Sequence, residues 1–108
     1  MTLQRILIRR VLKPECVADY VNYHQNIPAG LMDAYRKAGV LQLSCFLHEN
    51  DLLVFLEVNA EVWEQSQDEL AHNQVEQNWQ ALMRTLNSPD FEPRTYTEVF
   101  HLPREASA

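Results

Sequence analysis

Tyr20 and His24 stand four residues apart in the segment A-D-Y-V-N-Y-H-Q-N. On a helix that spacing stacks a phenol above an imidazole on one face. An imidazole has the ordinary pKa nearest neutrality, so it gives or takes a proton at working pH. Val17 and Val21 fall on the same stripe, which turns the two rings toward apolar surroundings. Two readings of His24 stay open on pattern alone: a proton-transfer residue, or a core histidine. Tyr20 is equally compatible with a ring packed inward and its hydroxyl at the edge.

Trp79 is the third residue of interest. It lies on an apolar helical stripe, where it either fills the core or offers a flat wall to the C–H face of a sugar ring, with its indole N–H as donor. Trp63 reads as packing. His24, His48, His72 and His101 are scattered without an H-x-x-x-H pair, and Cys16 and Cys45 have no metal-type spacing. No metal site is therefore expected. His101 alternates with Val99 on the last apolar segment, which makes it a candidate for a second acid or base. No G-x-S-x-G occurs, and neither cysteine has a catalytic signature. Gly30 and Gly39 are the only glycines, too few for a phosphate-cradling loop.

The elements that hold these residues follow from periodicity. Leu3 to Leu12 alternates as a strand, with Ile6, Ile8 and Leu12 on one face and Arg5, Leu7, Arg9 and Val11 on the other. Pro14 opens a helix whose apolar line runs through Val17, Val21, Leu31, Met32 and Tyr35. Pro28 falls inside that pattern and kinks or splits it; Gly39 ends it. Val40 to His48 and Leu52 to Val58 form two strands joined at Glu49-Asn50-Asp51. Glu57 lies within the second of these and needs a partner if buried. A helical region follows from Ala60 to about Asn87. Asn73 and Glu76 have capping-box spacing, which marks a second helix start. Val75, Trp79, Leu82, Met83 and Leu86 form its core stripe. Asn87-Ser88-Pro89-Asp90 breaks it. Thr95 to Leu102 is the last strand, and 103–108 a tail. The domain is expected to span 1–102.

This order is β-α-β-β-α-β, an α+β ferredoxin-like antiparallel sheet with two helical segments on one face. The other sheet face still carries apolar side chains, so a sheet-to-sheet homodimer is expected.

Composition narrows the partners. The 108 residues are 46% hydrophobic, enough for one packed core. The net charge of −6 argues against nucleic acid. The acids Glu61, Glu64, Asp68, Glu69 and Glu76 read as a solvated helix side. Apolar runs such as Leu52 to Leu56 are too short to cross a membrane. The opening M-T-L-Q-R-I-L-I-R-R has arginines within its apolar stretch, unlike a secretory signal. A cytoplasmic protein with reduced thiols is expected.

Five motifs in order, Y-V-N-Y-H, F-L-H, D-L-L-V-F-L-E-V, V-E-Q-N-W-Q-A-L-M and E-V-F-H-L, resemble the L-rhamnose mutarotase family across nearly the whole chain. The resemblance implies a ferredoxin-like fold, a dimeric α/β barrel, and interconversion of the anomers of a 6-deoxy sugar such as L-rhamnose or L-fucose. It implies that His24 is the proton donor and Tyr20 a substrate contact. Trp79 matches the first aromatic of the family's substrate-binding Trp-Trp pair, and Gln80 takes the place of the second. The strand tyrosine that contacts rhamnose falls at Leu43, and the family's I-W-P-E becomes Ile27-Pro28-Ala29-Gly30. Mutarotation consists of proton transfers and requires neither cofactor nor metal, only a monosaccharide partner. The rival readings are a dimeric α/β-barrel ligand-binding protein, a cofactor-independent monooxygenase-like protein, or a structural dimer with His24 in its core. A cavity shared by His24, Tyr20 and Trp79 separates the first reading from the last.

Overall fold

The computed structural model describes residues 1–105. Strand β1 (Leu3–Val11) pairs along its full length with β3 (Asp51–Asn59), and β3 forms a hairpin with β2 (Val40–His48). The short β4 (Arg94–Tyr96) pairs with the other side of β1, and the antiparallel sheet runs β2-β3-β1-β4. Two apolar clusters hold helices to one sheet face. One gathers Leu12, Tyr20, Leu52 and Leu86, and the other Val40, Leu56 and Val58. Fully buried side chains such as Leu12 and Leu52 each contribute about 1.5–3 kcal/mol. Asn50 ties the β2–β3 turn to this core, donating from Nδ2 to the Leu12 carbonyl oxygen at 2.9 Å.

Each expected helical segment is divided in two. After a 3₁₀ turn (Pro14–Cys16), α1 covers Val17–Gln25 and α2 covers Leu31–Lys37. Pro28, which lacks an N–H and disfavours helix before it, lies in the break. Gly30 then adopts φ +87° at the start of α2. The later region splits into α3 (Ala60–Ala71) and α4 (Gln74–Leu86). Asn59 and Asn73 cap them, Asn73 Oδ1 accepting from the Glu76 N–H at 3.0 Å.

Three expectations change, and one feature was not foreseen. Val21 and Met32 are exposed, so the inward line of α1 is not the valine stripe. Val17, Tyr20 and His24, spaced i, i+3, i+7, turn inward instead. Glu76 leaves the solvated acids and bonds to neighbouring side chains within the fold. The last strand stops at Tyr96 rather than Leu102, because β4 pairs with β1 only opposite Leu7–Arg9. Finally, β2 carries a bulge between Val40 and Gln42. Val40 and Leu43 thereby face the same side although three residues apart.

Beyond Tyr96 the described chain has no regular structure, and Val99, Phe100 and Leu102 are 93%, 79% and 78% exposed. The radius of gyration is 15.0 Å, against about 13 Å for a compact chain of this length. Part of the expected tail, residues 106–108, lies outside the described residues. The opposite sheet face presents Leu7, Phe46, Leu53, Phe55 and Tyr96, set side by side by the strand register. Polar pairs border it: Arg5 donates to both Glu98 carboxylate oxygens, at 2.7 and 3.0 Å, and lies 3.9 Å from Glu57. Arg9 pairs with Asp51 at 2.8 Å.

Candidate functional site

α1 brings Tyr20 and His24 into a face-to-face stack, with ring centroids 4.0 Å apart and planes 29° from parallel. His24 Nδ1 lies 2.8 Å from the Tyr20 carbonyl oxygen. A carbonyl only accepts, so Nδ1 carries the hydrogen and Nε2 is left for chemistry. α4 supplies Trp79, whose buried ring meets the imidazole edge-on at 5.0 Å and 70°. The three residues expected from sequence therefore converge.

They converge on a cavity of about 670 Å³ between sheet and helices. That lies within the range of about 300–1,000 Å³ typical of small-molecule sites. Ile6, Ile8, Val54 and Leu56 form its sheet side, and the β2 bulge brings Leu43 and Cys45 to the same wall. Ile27, from the broken loop between α1 and α2, also lines it, as does Trp63, which packs against the adjoining core. Cys16 packs against the core, whereas Cys45 opens on the cavity.

Tyr20 is 5% exposed. Burial, then its contact with Cys45, pushes the phenol well above its ordinary pKa. It therefore stays protonated near neutrality and is a hydrogen-bond donor rather than a proton acceptor. Desolvation at the cavity wall likewise raises the Cys45 thiol, so that group is no ready nucleophile.

Sequence reasoning missed a second polar group in the cavity. Tyr35 donates its hydroxyl to Glu76 Oε2, and Gln80 donates from Nε2 to Glu76 Oε1 at 3.0 Å. Burial, then the Glu76 contact, raises the Tyr35 phenol above its ordinary pKa. Gln80 was expected through resemblance; Tyr35 and Glu76 were not expected as site residues. The capping-box spacing was the available signal. Asn73 caps the helix, but Glu76 turns to Tyr35 instead of reaching back, leaving half a box.

The other histidines stand apart from the cavity. His48 ends β2, His72 follows α3, and His101 lies exposed beyond β4. The expectation that His101 supplies a second acid or base is overturned, since the strand that would carry it inward ends at Tyr96. Among the described residues, no three His, Cys, Asp or Glu side chains gather as a metal site would require. No helix among them is long and apolar enough to cross a membrane.

Fold and cavity together define a ferredoxin-like α+β protein in which a histidine, a buried tyrosine and a tryptophan meet at a cavity of small-molecule size. The sequence profile of L-rhamnose mutarotase matches residues 5–102, and the chain belongs to that family of carbohydrate isomerases. The L-rhamnose mutarotase of Jannaschia sp. (strain CCS1) is 32% identical, over 94% of this chain and all of that protein. Among solved structures, L-rhamnose mutarotase FA22100 from Formosa agariphila superposes with a TM-score of 0.71 at 23% identity, covering 93% of this chain and 99% of that one. An antibiotic biosynthesis monooxygenase shares the fold at a TM-score of 0.62 and 11% identity, over 91% and 99% of the two chains. Both structural likenesses concern the fold alone.

Proposed function

We propose that this chain interconverts the α and β anomers of an aldose, a 6-deoxy sugar of the L-rhamnose or L-fucose kind. The observation that carries this reading is the meeting of His24, Tyr20 and Trp79 at one cavity. Family membership and the named Jannaschia relative support it.

In mutarotation the C1–O5 bond breaks, O5 gains a proton, and O1 loses one as C1=O1 forms. Rotation about C1–C2 and reclosure place O1 on the other face. Protonated His24 donates from Nε2 to O5 and recovers the proton on reclosure. The O1 proton passes to water. Tyr20 orients a sugar oxygen through its hydroxyl, Trp79 supplies a flat wall, and Gln80 adds a polar contact. A positioned acid contributes about 10²–10⁴-fold, which is meaningful for a reaction that already proceeds slowly in water.

The domain spans residues 1–102 and acts as a homodimer. The exposed apolar sheet face and the exposed Val99, Phe100 and Leu102 support this, because surfaces of that kind ordinarily bind a partner. The cytoplasm is the setting, where Cys16 and Cys45 remain free thiols. Saturation-transfer NMR of anomer exchange, across L-rhamnose, L-fucose and other aldoses, tests the activity. Acceleration of at least one sugar is expected; acceleration of none contradicts the reading.

A further inference from the structure

Tyr35, Glu76 and Gln80 form a hydrogen-bonded group on the cavity wall. Both side-chain contacts reach Glu76 as donors, so its two oxygens act as acceptors. Each carboxylate oxygen uses one lone pair on a protein donor and retains capacity for another. Gln80 also keeps its amide oxygen, since it donates through nitrogen. Among the described residues no Lys or Arg forms an ion pair with Glu76. The group is therefore rich in acceptors in a cavity whose walls are largely aliphatic.

Its position sets it apart from the proton-transfer group. Glu76 and Trp79 lie one turn apart on α4, and Gln80 follows one turn after Glu76. Trp79 meets His24. No hydrogen bond joins Tyr35, Glu76 or Gln80 to Tyr20 or His24 among the described residues. The cavity thus has two polar centres, with Trp79 bordering both.

We propose that Glu76 and Gln80 bind a pair of adjacent hydroxyls on the sugar edge remote from the anomeric carbon, and that Tyr35 positions the Glu76 carboxylate for this. The inference rests on the anomer-exchange reading. Two neighbouring hydroxyls are two donors at the spacing of a carboxylate. A ligand lacking either leaves a desolvated acceptor without its partner, and such loss discriminates more strongly than a missing apolar contact. The group therefore selects among sugars, while His24 moves the proton.

The test uses the aldose that the wild type accelerates best, with its 3-deoxy and 4-deoxy counterparts, in anomer-exchange NMR. Wild type is expected to lose about tenfold or more in kcat/KM on at least one deoxy sugar. Glu76→Gln is expected to raise KM for the parent sugar by a similar factor with little change in kcat, and to lose most of the discrimination. Gln80→Leu, a change at a half-buried helix position, gives a second reading of the same loss should Glu76→Gln fold poorly. Equal treatment of parent and deoxy sugars by wild type, or undiminished discrimination in both folded variants, overturns the inference and leaves the anomer-exchange reading standing. No acceleration of any sugar by wild type overturns both.

Discussion

The His24 imidazole lies against the Tyr20 ring, 4.0 Å between centroids, while its Nδ1 donates to the Tyr20 carbonyl oxygen 2.8 Å away. One residue thus fixes the other twice, through its ring and through its backbone. The consequence is a defined tautomer. Long-range ¹⁵N–¹H NMR of the imidazole above its titration range should find the proton on Nδ1, with Nε2 of the pyridine type. The opposite tautomer would mean that the nitrogen assigned to proton transfer is not free to act.

Gly39 joins α2 to β2 at φ +95°, and a Cβ there would come within 3.0 Å of the Trp63 nitrogen and of Val62 Cβ. Backbone strain and contact act in the same direction. Gly39→Ala should destabilise the fold by about 1–3 kcal/mol. Urea denaturation checks this; an unchanged midpoint contradicts it.

Glu61 ties the chain start to α3, accepting from the Thr2 N–H at 3.1 Å. This backbone bond is the main reason its carboxyl pKa falls from the ordinary 4.5 to about 2. A depressed folded-state pKa stabilises above the unfolded value and loses that effect as pH falls through the folded one. The stability difference between wild type and Glu61→Gln should therefore be constant above about pH 5 and shrink between about 4.5 and 2. Denaturation curves across that window measure it. A difference that does not depend on pH removes the assignment.

Phe46 stands 58% exposed on the open sheet face, beside Leu53 in the strand register. The proposed sheet-to-sheet homodimer would cover both. Light scattering should return about twice the 12.6 kDa chain mass. Phe46→Asp should shift the protein toward monomer while leaving its circular dichroism unchanged. A wild-type mass of one chain contradicts the dimer.

Local patterns carried much of the fold. Leu3 to Leu12 was legible as a strand from its alternation, and Leu52 to Val58 from a short apolar run after the polar Glu49-Asn50-Asp51 turn. Pro28 and Asn73 marked helix boundaries through their own backbone chemistry. Other features depend on partners. Thr95 to Leu102 alternates like a strand, yet the ladder with β1 forms only at Arg94–Tyr96, opposite Leu7–Arg9, although β1 itself continues to Leu3. Val21 resembles a core residue until α1 is docked and Tyr20 takes the inward position. In the site, Tyr20 and His24 were legible because one helix sets their spacing, whereas Trp79 needed the packing of α4 against α1. The Tyr35–Glu76 contact links two helices far apart in sequence, so no local signal described it. The bulge that turns Leu43 and Cys45 to the cavity was equally hidden, with only the adjacent Val40 and Leu41 as a trace.

The central claim is that His24 moves a proton to and from a sugar. Anomer exchange measured by saturation-transfer NMR on wild type and His24→Ala, with the fold checked by circular dichroism, tests it most directly. Wild type should accelerate at least one 6-deoxy aldose, and His24→Ala should lose about 10²–10⁴-fold of that acceleration while remaining folded. A folded His24→Ala protein that exchanges anomers at the wild-type rate would contradict the account.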